Sequence, residues 1–168
     1  WGAITGFVKR STEIIGETIK DKPGRRYDST PGLAKYDLFG LDKIERERTL
    51  VIVEGYPDAL YLPTLGLKNV VAVGAGLLST THLEGLQAKK IQNIILSYDN
   101  DKPDKDGECT GWENTSKSID LLKHSGFNVF VINPKDLGKY TDPDELVRAG
   151  GLEQYKALTQ NPTRADLW

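Results

Sequence analysis

The sequence predicts an α/β fold: a doubly wound parallel sheet of four strands flanked by helices, preceded by a small β-rich segment. Three observations carry that prediction. From Thr49 onward, short apolar runs alternate with longer mixed stretches, the order of strand–helix–strand units. The runs at 49–53, 69–73, 93–98 and 128–132 are apolar at consecutive positions, as strands buried on both faces are. Two of these runs end abruptly in acid, Glu54 after the first and Asp99 after the third.

The elements follow in order. Residues 3–8 and 13–19 read as two short strands about a polar turn at 9–12. Residues 20–35, with their Asp, Lys, Pro, Gly and Ser, read as loop. Residues 41–48 (LDKIERER) read as a short charged helix. Strand one is 49–53, and Pro57 suits the first turn of a helix reaching about residue 65. Strand two is 69–73, followed by a turn at Gly74-Ala75-Gly76. Ser79, Thr80 or Thr81 can N-cap a helix that ends near Lys89-Lys90, where positive charge is favourable. Strand three is 93–98. A polar loop at 100–111 leads into a helix over 112–124, stopped by Ser125-Gly126. After strand four, 128–132, Asp142 can cap a short helix to 149, and another helix covers 152–158.

Bulk properties bound the answer. A length of 168 residues suits one well-filled domain with a smaller appendage. No apolar run approaches the roughly 18 residues of a membrane span, and no leader pattern opens the chain, so no membrane partner is expected and the cytoplasm is the expected compartment. The single cysteine, Cys109, can form neither an internal disulfide nor a thiolate zinc site. The chain starts at Trp1 and has no methionine, which reads as a piece of something longer. Residues 1–50 hold ten basic against eight acidic side chains, and the remainder twelve against sixteen. That balance excludes a uniformly basic nucleic-acid face and fits a basic approach beside an acidic centre.

Carboxylates at the ends of buried strands cost desolvation unless a cation meets them. Oxygen donors of this type suit Mg²⁺ or Mn²⁺. With strand order 2-1-3-4, the switch point lies between strands one and three, where doubly wound sheets bind ligands. Those are the strands that carry Glu54 and Asp99. Gly55 allows the backbone close approach there. Asp142 alone reads first as a helix cap, a role compatible with ligation, and Asp144 as a favourable first-turn charge. His82 and His124 have no ligand-spaced partners and read as packing or surface groups. Gly74-x-Gly76 lacks the third glycine of a dinucleotide fingerprint.

Glu54-Gly55-x-x-Asp58 followed by Asp99-x-Asp101 resembles the Toprim signature of topoisomerases, bacterial-type primases and some nucleases. Thr141-Asp142-Pro143-Asp144-Glu145-Leu146-Val147-Arg148 looks like the D-P-D-x-L-V segment of DnaG-type primases. The resemblance covers residues 40–160 well. It extends loosely forward through Ile4-Thr5-Gly6-Phe7 and Arg26-Tyr27-Asp28-Ser29-Thr30-Pro31. It implies a Toprim (Rossmann-like) catalytic domain over 46–160, a partial basic (RNA-polymerase) subdomain over 1–45 and a tail at 161–168. The implied function is metal-dependent synthesis of RNA primers on single-stranded DNA during replication, by a DNA-directed RNA polymerase of the nucleotidyltransferase class. A fragment alone is expected to show little or no activity.

The same resemblance implies the site. Glu54, Asp99 and Asp101 are the catalytic acids, with Glu54 as general base or further ligand. Asp58, Asp99, Asp101, Asp142, Asp144 and Glu54 make up the Mg²⁺ or Mn²⁺ ligand set. Arg10, Arg25 and Arg26 match positions that contact nucleotide or template, although Arg25-Arg26 also reads as a solvated turn. Nucleoside triphosphates and single-stranded template are the expected partners. Zinc and a replicative helicase would engage regions outside this chain. One departure is the stretch 102–110 (KPDKDGECT), where primases pass almost directly into a helix. Toprim-type DNA cleavage by a nuclease or topoisomerase, and a non-catalytic Toprim-like module binding DNA or a partner, remain as alternatives. A receiver-type domain shares the topology but expects a carboxylate pair after strand one and a lysine after a fifth strand, and neither is found.

Overall fold

A computed structural model describes residues 7–10, 27–29, 31, 37–74, 77–100 and 110–168. Its main sheet contains β3 (Thr49–Val53), β4 (Val70–Ala72), β5 (Asn93–Ser97), β6 (Asn128–Val131) and β7 (Thr163–Arg164), in the order β4-β3-β5-β6-β7. The first four are parallel, so the predicted 2-1-3-4 order holds. β7 is a fifth strand, antiparallel to β6, in residues read from sequence as a tail. Its two residues are polar and exposed, so no periodicity marks them. The backbone pairs with β6 at the edge, and buried Ala165 continues the pairing by donating to the Val129 carbonyl at 3.0 Å.

Alternate residues of each strand serve opposite faces, as the pleat requires. Leu50, Ile52, Ile94, Leu96, Val129 and Val131 pack under α2 (Thr80–Ala88) and α3 (Thr110–His124). Val51, Val53, Ile95 and Ala72 pack under α1 (Tyr56–Tyr61), α4 (Pro143–Leu146) and α5 (Leu152–Gln160). Helices on both faces of a parallel sheet are the doubly wound arrangement expected. Gly150, at φ +96°, breaks the helical path between α4 and α5.

Two local expectations change. The segment 41–48 forms only a 3₁₀ turn, Leu41–Lys43. The Glu47 carboxylate accepts from the amides of Glu45 and Arg46 at 3.1 and 3.0 Å, and this local capture competes with helix formation. In front of the sheet, β1 (Val8–Arg10) pairs antiparallel with β2 (Tyr27–Ser29). Lys9 and Arg10 are therefore strand rather than turn, and β2 lies in a stretch read as loop. Strand formers Val8 and Tyr27 fit that outcome. The expected strand at 13–19 and most of that at 3–8 lie outside the described residues.

The α2 cap is the one expected at Ser79, with an unforeseen partner. His82 Nδ1 accepts from the Ser79 amide at 3.1 Å, taking the place a Glu or Gln holds in a capping box. His82 is buried and structural, as its lack of ligand-spaced partners suggested.

Candidate functional site

The carboxyl ends of β3 and β5 and the starts of α1 and α4 bring the acids together. Glu54 follows β3 directly, and its carbonyl accepts from the Gly74 amide at 3.0 Å, tying it to the end of β4. Gly74 sits at φ +84°, and a Cβ there would run into the Tyr56 ring. Glycine is therefore needed both for the backbone conformation and for the space. Asp99 stands two residues beyond β5. Both Glu54 and Asp99 are half-buried.

The end of β5 is fixed from both faces of the sheet. Ser97 Oγ accepts from buried Tyr155 on α5 at 3.0 Å, and the Tyr98 hydroxyl meets Ser118 on α3 at 3.1 Å. Burial pushes both phenols up, so both stay neutral; the charge of Glu54 adds to the effect at Tyr98 and that of Asp58 at Tyr155. The β6–α4 loop is docked on this strand end. Asn100 donates its amide to the Thr141 carbonyl at 2.7 Å and its side chain to the Gly138 and Tyr140 carbonyls at 3.2 and 3.3 Å. That docking carries Asp142 to the strand end that bears Asp99.

Asp142 caps α4, accepting from the Glu145 amide at 2.7 Å through Oδ1. Glu145 reaches back to the Thr141 amide and hydroxyl at 2.8 and 2.9 Å, which holds its own carboxyl below the usual range. Asp58, on the first turn of α1, is 2 % exposed. Its Oδ1 accepts from the Asp144 amide at 2.8 Å, joining α1 to α4. Burial, followed by the charge of Asp142, pushes the Asp58 carboxyl up to about 7, even though the Asp144 amide opposes the shift. Gly55 is required beneath it, because a Cβ there would stand 2.7 Å from Asp58 Oδ2. The expected close approach at Gly55 is thus made by the Asp58 carboxylate.

Asp144 divides its oxygens. Oδ2 accepts from Arg148 Nε at 2.7 Å, while Oδ1 is buried without a hydrogen-bond partner among the described residues. Arg148 lies over the Tyr61 ring, 3.9 Å from its centroid. Spacing could have revealed Arg148, which stands at i+4 from Asp144 on a predicted helix. Tyr61, Asn100 and the two tyrosine–serine pairs left no comparable signal.

The structure therefore gathers Glu54, Asp58, Asp99, Asp142 and Asp144 along one edge. Asp101, Arg25, Arg26 and the 102–109 stretch lie outside the described residues, as does the side chain of Arg10. Among the described residues, no three acidic, histidine or cysteine groups converge closely enough to ligate one ion. The donors still suit a hard divalent cation in kind. All are carboxylates, Asp58 and Asp142 repel, and Asp144 keeps a buried oxygen with no donor. Mg²⁺ is held through one or two carboxylates and keeps several waters.

The family model described as Toprim-like matches residues 51–147, more than half of the chain, from within β3 to just past α4. The chain belongs to the Toprim-like family. The relatives and solved structures it resembles are DNA primases. A DNA primase of Clostridium acetobutylicum is 34% identical over 167 residues, 95% of this chain and 25% of the relative. A DNA primase of Staphylococcus aureus is 34% identical over 132 residues, 76% of this chain and 20% of the relative. The chain thus spans a quarter or less of the curated relatives it matches. Among solved structures, the zinc-binding and RNA polymerase domains of the Aquifex aeolicus primase align with a TM-score of 0.73 at 27% identity, covering 96% of this chain and 38% of that one. A DNA primase domain from Pseudomonas aeruginosa aligns at 0.70 and 27%, covering 96% and 48%. No helix among the described residues is long and apolar enough to cross a membrane.

Proposed function

We propose that this Toprim-like chain is the catalytic-core part of a DNA primase, with residues 46–160 as the catalytic domain and residues 1–45 as the remnant of a basic subdomain. The reaction is template-directed joining of ribonucleotides on single-stranded DNA, with release of pyrophosphate. One observation carries the reading: carboxylates from the ends of two adjacent parallel strands and from two helix starts share one edge of the sheet. Similarity to DNA primases across nearly the whole chain supports primer synthesis among Toprim reactions.

Asp99, Asp101 and Asp142 would hold Mg²⁺ or Mn²⁺, with Asp58 and Asp144 in support. A cation held there would supply polarisation of the phosphoryl oxygens and easier ionisation of the attacking 3′-hydroxyl. Glu54 would take the proton of that hydroxyl or serve as a further ligand. The tyrosine–serine pairs under Ser97 and Tyr98 keep Asp99 at a fixed height, and the Asn100 contacts keep Asp142 in register with it. Arg10, Arg25 and Arg26 contact nucleotide or template phosphate, which fits the basic excess of residues 1–50.

Asp99→Ala in the complete parent protein tests this. Primer synthesis should fall below detection while the melting temperature stays within a few degrees of wild type. Wild-type activity in that variant would sink the assignment.

A further inference from the structure

We infer that Arg148, braced on Tyr61, is a positioning residue that sets the Asp144 carboxylate for cation binding, a role that rests on the metal reading above. Three observations converge on it. The guanidinium carbon lies over the Tyr61 ring, 3.9 Å from its centroid, a contact that braces the side chain although it is 56 % exposed. It donates Nε to Oδ2 of Asp144 at 2.7 Å. The other oxygen, Oδ1, remains buried and accepts no hydrogen bond from the described residues.

Arginine–carboxylate pairs are frequently bidentate, engaging both oxygens. Here the guanidinium takes one oxygen and leaves the shielded one. Asp144 also bonds Asp58 through its amide, so its backbone and its outer oxygen are both fixed. The remaining degree of freedom, rotation of the carboxylate, is what the Arg148 contact removes. Groups that orient ligands in this way are worth about 10–100-fold in metal affinity. Asp144 precedes Arg148 by four residues, the favourable order for such a pair on a helix.

Mn²⁺ binding to the full chain, followed by loss of the free-ion electron paramagnetic resonance signal, tests the role without turnover. Arg148→Met keeps an apolar stem against Tyr61 but has no N–H. It should weaken Mn²⁺ binding about tenfold or more. Arg148→Lys should recover part of that loss, because charge returns without the planar donor. Tyr61→Leu keeps the ion pair and loses the ring, and should weaken binding by a smaller factor, about threefold, within the effect expected for such outer groups. Should Arg148→Met fail to fold, Tyr61→Leu and Arg148→Lys decide the matter. Mn²⁺ affinity equal to or tighter than wild type in the folded variants overturns the inference and leaves the metal reading standing. Failure of the wild-type chain to bind Mn²⁺ overturns both.

Discussion

At the end of β5, Asp99 rides on backbone pinned from both faces of the sheet, by Tyr155 through Ser97 and by Ser118 through Tyr98. At the starts of α1 and α4 the arrangement is the reverse. Asp58 is penalised by burial and by the charges of Asp142 and Asp144, and the three are held by amides, a cap and one arginine. The strand end owes its order to packing and hydrogen bonds within the protein. The helix starts set a buried carboxylate against two others, a cost that a divalent cation would relieve.

The largest effect should come from removing the buried charge of Asp58, which burial penalises first and its acidic neighbours second. The Asp58 carboxyl ionises near 7 in the folded chain against an unfolded value of 3.8. The folded state therefore holds a proton that the unfolded state gives up. Stability contributed by that proton is full below pH 4, declines as pH rises towards 7, and is lost above it. Asp58→Asn keeps an acceptor for the Asp144 amide and removes the charge. In metal-free buffer at pH 8 it should stabilise the fold by about 2 kcal/mol, with about 4 kcal/mol as the ceiling set by the shift. At pH 4 the advantage should vanish. Urea denaturation at the two pH values measures both. A variant less stable than wild type at pH 8 would break the contrast between the two regions.

A smaller effect of opposite sign should follow on the packed side. Tyr155→Phe leaves Ser97 Oγ buried without its donor, at a cost of about 1–2 kcal/mol. Because neutral groups are involved, that loss should be the same at pH 4 and pH 8. A loss that varies with pH would show that the strand end, too, is governed by the acids.

Legibility in the sequence tracked the range of the interactions. The four parallel strands were readable because each is built around consecutive apolar residues, mostly β-branched, and the Asp142 cap because it is a contact three residues long. The fifth strand was not, since Thr163 and Arg164 pair only through backbone. The 41–48 helix failed because the Glu47 side chain captures nearby amides, a choice no periodicity reveals. The acids themselves were legible as residues. Their division was not, because the Asp58–Asp144 bond spans 86 positions and the tyrosine–serine clamps join separate elements.

The most direct test is a crystal of the chain soaked in Mn²⁺ and measured for anomalous scattering. The account predicts a peak at the sheet edge, shared between the end of β5 at Asp99 and the α4 start at Asp142 and Asp144. A crevice without a peak at saturating Mn²⁺, or Mn²⁺ bound only elsewhere on the surface, would contradict it.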